Sequence, residues 1–95
     1  MITEIAMLYI KKGNERQFEI DFSTASKYIS SINGYINHKI LKCLEESHKY
    51  VLIVEWKSLE DHTKGFMTSP QYQKWKELLY HYYEPFPIVE HYKSL

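Results

Sequence analysis

The sequence predicts an α+β fold, a ferredoxin-like split βαβ in which helices cover one face of an antiparallel sheet. Three observations carry this. Strand-like apolar runs and helix-like stripes follow one another in the order β-α-β-β-(short α)-α-β. Gly, Asn, Ser and Pro punctuate the joints between them. The strand over about 50–57 is apolar on both faces, so the side away from the helices needs a cover of its own. In a chain of 95 residues the economical cover is a second copy, which predicts a homodimer packed sheet to sheet.

The elements follow in order. "TEIAMLYIKK" is short, apolar and mostly unbroken, and predicts a strand over about 3–11. After "GN", Asn14 and Gln17 have the spacing of a capping box. Phe18, Phe22, Ala25, Ile29 and Ile32 then form one apolar stripe, which predicts a helix over about 15–32. Gly34 stands where that helix would stop. "YINHKILKCL" and "KYVLIVEW" read as two strands joined by the polar "EESHK". Ser58, with Asp61 three residues on, opens one or two helical turns ending near Gly65. Ser69 caps the next helix and Pro70 takes its first position, where a missing N–H costs nothing. Tyr72, Trp75, Leu79 and Tyr82 make its stripe, Pro85 and Pro87 close it, and "FPIVEHY" is a last strand.

The bulk properties narrow the function. The length predicts a single domain over 1–95. Twelve basic residues balance twelve acidic ones and Arg16 is the only arginine, so the chain lacks the basic stripe of a nucleic-acid binder. With no apolar run near ~20 residues and no signal-peptide core, neither a membrane span nor export is expected. The lone Cys43, read as a small buried hydrophobe, suits a reducing cytoplasm. Aromatic residues reach 16%, densest in "YHYYEPFPIVEHY". Such a content suits an aromatic-lined cavity, a subunit interface, or both.

The element order and the run "VLIVEWKSLEDHTKGFMTSPQYQKWKELLYHYYEPFPIVEHY" resemble the antibiotic biosynthesis monooxygenase (ABM) domain, a dimeric α/β barrel. "EWKS", the "F-x-x-S-P-x-Y" that opens the last long helix, and the closing "P-x-V-E-H-Y" carry the resemblance over nearly the whole chain. It implies chemistry from a broad set: cofactor-independent oxidation of polycyclic phenols, quinol monooxygenation, haem degradation, or action on small signalling molecules. The haem-degrading branch has an Asn, a Trp and a ligating His where this chain has Ala6, Phe66 and Lys76. Lysine is not a neutral imidazole ligand, so haem degradation is not expected. The His that often follows Ser-Pro in the family is here Gln71.

Five histidines remain, without paired metal-ligand spacing, and no metal site or cofactor is predicted. His62, beside the presumed pocket mouth, is the first candidate for a general base. His38, read as sharing a strand face with Ile36 and Ile40, is the second. Tyr72 is the candidate hydrogen-bond donor to a substrate oxygen. Trp56, Phe66, Trp75 and Leu79 are the candidate walls for a small aromatic substrate, with core packing open as the alternative for each. The implied reaction is deprotonation of a phenol or quinol followed by direct reduction of O2. Two other readings stay open: a non-catalytic small-molecule-binding domain, and isomerase or lyase chemistry on a small carbonyl compound.

Overall fold

The computed structural model describes residues 1–95. Strand β1 (Ile2–Tyr9) alternates strictly in its second half, with Glu4, Ala6 and Leu8 buried on one face. It pairs antiparallel with β3 (Lys49–Trp56) on one side and β4 (Val89–Tyr92) on the other, while β2 (Tyr35–Lys42) pairs antiparallel with β3. The sheet order is β2-β3-β1-β4, which is the predicted ferredoxin-like topology. Helix α1 (Glu15–Ser30) buries Phe18, Phe22, Ala25 and Ile29, and α2 (Pro70–Leu79) buries Trp75 and Leu79, on the same face of the sheet. Burying side chains of this size contributes about 1.5–3 kcal/mol each, so these stripes fix both helices on the sheet.

Several local expectations change. Asn14 makes no side-chain cap: its N–H donates to the Lys11 carbonyl, and the Gln17 side chain turns to Asp21. The helix stops at Ser30, leaving Ile32 in the turn beyond. β1 ends at Tyr9, with Ile10 bridging to Tyr83. β2 ends at Lys42, so Cys43 falls at the hairpin and is half-buried, where its sulfur meets the Glu46 N–H. The last strand is only Val89–Tyr92; prolines at 85 and 87 hold the residues before it out of the ladder. Tyr82 belongs to a 3₁₀ turn (Tyr80–Tyr82) after α2, and its hydroxyl donates to Asp21 on α1.

The segment before α2 is built as the sequence implies. The Ser58 N–H donates to Asp61 Oδ2 at 3.1 Å and the Asp61 N–H donates to Ser58 Oγ at 3.2 Å, a reciprocal capping box. The turn that follows, Asp61–Phe66, is π-helical, closed by the Met67 N–H on the His62 carbonyl. With more than four residues per turn it brings residues four apart nearly into line, so His62 and Phe66 both point inward. Gly34 lies beneath it with φ +93°, and a Cβ there would come within 2.1 Å of the Asp61 carboxyl carbon. Ser69 Oγ then accepts the Tyr72 N–H at 3.2 Å, with Pro70 at the first helical position.

The far face of the sheet is bare. Ile5, Met7, Val51 and Ile53 share it with Leu41, and none of the five is buried.

Candidate functional site

Between the β1–β4 half of the sheet and α2 lies a cavity of about 330 Å³. Twelve of its sixteen lining residues are hydrophobic, and no Lys or Arg is among them. Such a space suits an uncharged ring better than a carboxylate or phosphate, for which it offers no Lys or Arg. Phe66, Tyr72 and Trp75 are wall: Phe66 meets the other two edge to face at 5.1 and 5.6 Å, and the three leave the space open.

The polar groups concentrate on one side. Glu4, 4% exposed, lies on the helix-facing side of β1 in alternation with Ala6 and Leu8. Its Oε1 accepts the Trp56 indole N–H at 2.9 Å and lies 3.4 Å from His62 Nε2. The other oxygen accepts no protein hydrogen bond, and the fold leaves no buried side-chain polar atom without a partner, so that oxygen is open to the cavity. Burial pushes the Glu4 carboxyl up to about 7, against the Trp56 hydrogen bond, which lowers it. Near neutral pH the group is therefore divided between its two protonation states.

His62 is 6% exposed and packs against both the Trp56 ring at 5.3 Å and the Phe66 ring at 6.2 Å, which also touch each other. Burial, then charge on His91, bring its imidazole down to about 4, so it is neutral at pH 7. Its Nδ1 lies 2.8 Å from His91 Nε2. Register places this contact: His91 on β4 faces Glu4 on β1, on the same side of the sheet. Glu4, His62 and His91 thus form a cluster on the cavity wall, with Glu4 near one ring nitrogen of His62 and His91 at the other.

A second polar group faces the same cavity. The Tyr72 and Tyr80 hydroxyls are hydrogen-bonded to each other. Burial raises the Tyr80 phenol well above its usual range, helped by Tyr72. Burial likewise raises Tyr83, and the charge on Glu4 adds to both.

Of the residues singled out in the sequence, His62, Tyr72, Phe66 and Trp75 come together on the cavity. The other three do not. A β-bulge between Tyr35 and Asn37 takes Ile36 out of alternation, so His38 faces the helices beside Tyr35, whose hydroxyl bonds its Nδ1. There it lies against Phe22 and outside the cavity, its pKa lowered by burial. Trp56 is fully buried behind His62, holding Glu4 rather than forming wall. Leu79 is fully buried core and does not line the cavity. Glu4, His91 and Tyr80 were not among the candidates. Glu4 alone left a trace, as a carboxylate two residues before Ala6 and Leu8 in one strand alternation.

The fold and cavity define a class: a ferredoxin-like α+β domain with an apolar pocket between sheet and helices. The antibiotic biosynthesis monooxygenase family model matches residues 1–78, and the chain belongs to that family. It is 54% identical, over all 95 residues of both chains, to the uncharacterized protein YczJ of Bacillus subtilis. A protein of Bordetella bronchiseptica assigned to the antibiotic biosynthesis monooxygenases superposes with a TM-score of 0.93 at 26% identity, covering 99% of this chain and 96% of that one. SnoaB of Streptomyces nogalater, a cofactor-independent oxygenase, shares the fold with a TM-score of 0.87 at 15% identity over 99% and 92% of the two chains. At the haem-branch positions, Ala6 and Phe66 line the cavity, while the Lys76 ammonium lies over the Tyr72 ring at 5.0 Å.

Proposed function

We propose that the protein is a cofactor-independent monooxygenase of a small uncharged phenol or hydroquinone, with Glu4 as the base. The observation that carries this is a carboxyl titrating near 7 in the wall of an apolar cavity that no Lys or Arg lines. A general base works best when its pKa lies near the working pH, and here burial supplies that match. The volume is at the low end of the roughly 300–1,000 Å³ range of ligand pockets, which favours one or two fused rings.

Glu4 takes the phenolic proton, and the phenolate gives one electron to O2. The resulting radical and superoxide combine to form a C–O bond, and the proton held by Glu4 passes to the peroxide. Loss of the C–H proton at that carbon then breaks the O–O bond and releases water. One oxygen atom enters the quinone and the other leaves as water, so the oxidant is O2 alone. The Tyr72–Tyr80 pair has one O–H left after bonding to itself, and that O–H donates to the far oxygen of the ring. The aromatic walls hold the ring in place and exclude water.

The bare far face supports a further part of this reading, a homodimer in which Ile5, Met7, Val51 and Ile53 of two copies pack together.

The test is O2 consumption by metal-free protein offered hydroxylated naphthalenes, anthrones and hydroquinones, with ¹⁸O2 incorporation read by mass spectrometry. The expected result is uptake above the buffer rate, with one labelled oxygen in the product. Binding that quenches Trp75 fluorescence without O2 uptake would instead make the cavity a binding site.

A further inference from the structure

We propose that Tyr83 is a second hydrogen-bond donor to the substrate, and that with the Tyr72–Tyr80 pair it forms a two-donor hole for a carbonyl oxygen on the ring. This rests on the cavity being the site of an uncharged phenol, and deepens that reading by naming the group the ring carries away from its hydroxyl. Of the three phenols lining the cavity, Tyr72 and Tyr80 bond to each other, and Tyr83 alone has no protein partner. A tyrosine hydroxyl out of bulk water ordinarily finds one. The fold leaves no buried side-chain polar atom unpaired, so the Tyr83 hydroxyl is open to the space beside it.

The backbone aims this residue. The Lys11 N–H donates to the Tyr82 carbonyl at 2.9 Å and the Glu84 N–H to the Tyr9 carbonyl at 2.8 Å, which ties residues 82–84 to the end of β1. Tyr83 thereby bridges to Ile10. Directly opposed residues of an antiparallel pair point to the same side. Ile10 continues the buried alternation of Glu4, Ala6 and Leu8, so Tyr83 projects to the cavity side, at the other end of β1 from Glu4. Its ring is seated against Tyr80 at 5.8 Å and edge to face on Phe86 at 5.7 Å. Burial raises its phenol well above the usual range, and Glu4 and then Tyr72 add to the rise, so the hydroxyl lies within electrostatic reach of both polar groups. At working pH it is an O–H donor and not a base.

The ligand chemistry follows from the number of donors. In the Tyr72–Tyr80 pair one hydroxyl donates to the other, and the accepting hydroxyl keeps its own proton free. Tyr83 supplies a second free O–H. A carbonyl oxygen accepts both at once through its two lone pairs. When Glu4 removes the phenolic proton, the charge of a conjugated phenolate spreads onto that oxygen, and the hole meets the charge where it develops. An alkyl group in the same place leaves both O–H groups without a partner, which is unfavourable. With no Lys or Arg in the wall, a neutral ketone or aldehyde fits here better than a carboxylate.

The test compares two ligands by calorimetry with O2 excluded, on the intact protein and on Tyr83→Phe. The ligands are 4-hydroxyacetophenone and 4-isopropylphenol, which has nearly the same shape and no carbonyl. The wild type should prefer the ketone. Tyr83→Phe should lose roughly 3- to 10-fold in affinity for the ketone, while 4-isopropylphenol binds as before or more tightly. The difference in acidity between the two phenols is common to both proteins and cancels from the comparison. The carbonyl stretch of the bound ketone, read by infrared difference spectroscopy, should lie at lower frequency in the wild type than in the variant. An equal loss of both ligands would make Tyr83 wall alone and overturn the hole. An unchanged ketone preference, or one carbonyl frequency in both proteins, would overturn it too. Failure of either phenol to bind the wild type at all would overturn the phenol site together with the hole. With O2 excluded, loss of the hole alone leaves the oxygenase reading to the O2 assay.

Discussion

Glu4 makes the fold less stable at the pH where it would act. Its carboxyl titrates at about 7 in the folded chain against a usual value of 4.5, because burial penalises the charge. Between those values the native state holds the proton more firmly than the unfolded chain. Stability is therefore complete below about pH 4.5 and is lost as pH rises through 7, by on the order of 3 kcal/mol. Glu4→Gln, which keeps an acceptor for Trp56, should be more stable than the wild type at pH 8 and close to it at pH 4.5, measured by urea unfolding. His62 acts in the opposite sense. Its folded value of about 4 lies below its usual 6.5, so its contribution is present above 6.5 and lost as pH falls toward 4. The two slopes oppose one another between about 4.5 and 6.5. In Glu4→Gln the His62 slope stands alone, and stability should fall on acidification below 6.5. Sequence pattern alone passed over Glu4, because "TEIAMLYIKK" reads as an apolar run unless its two faces are separated. His91 was harder to find: it meets His62 across 29 residues, through the register of a four-residue strand.

The π-helical turn is the element that aims the site. The Ser58–Asp61 box starts it, and Gly34 leaves room for the Asp61 carboxylate. Gly34→Ala should destabilise the fold by more than Gly13→Ala. Both glycines have φ near +94°, but a Cβ at 13 meets nothing within 4 Å, whereas at 34 it meets Asp61. The strain common to both is about 1–2 kcal/mol, and the excess at 34 reports the lost seat of Asp61. Urea midpoints of the two variants measure the difference. Ser69→Ala, which removes the cap of α2, should cost about 1 kcal/mol by the same measurement. These caps were readable in the sequence because each depends on residues within three positions. Asn14 and Gln17 looked alike and form no box, since the Asn14 N–H goes to the Lys11 carbonyl and the Gln17 amide to Asp21. Ile36 was misplaced onto the His38 face because a β-bulge leaves no mark in the spacing, and shifts the side chains before it.

At the scale of the whole molecule, topology was legible and the site only half so. Periodicity and punctuation determine the order of elements and the covered face, and the α-helical stripes agree residue by residue from Phe18 to Ile29. A cavity depends on where stripes fail to meet, which spacing does not encode. The same periodicity leaves the far face of β1 and β3 apolar. Ile53→Lys, placed at its centre, should convert a dimer to a monomer with unchanged far-ultraviolet circular dichroism, read by sedimentation velocity. Oxygenation by a neutral-pH carboxylate is the central claim, and the pH dependence of kcat/KM for O2-consuming turnover tests it most directly. The expected profile rises with pH through about 7 and levels off, and Glu4→Gln lies roughly 10²–10⁴-fold lower with that rise removed. Turnover that is flat across pH 7, or that survives in Glu4→Gln at the wild-type rate, would contradict it.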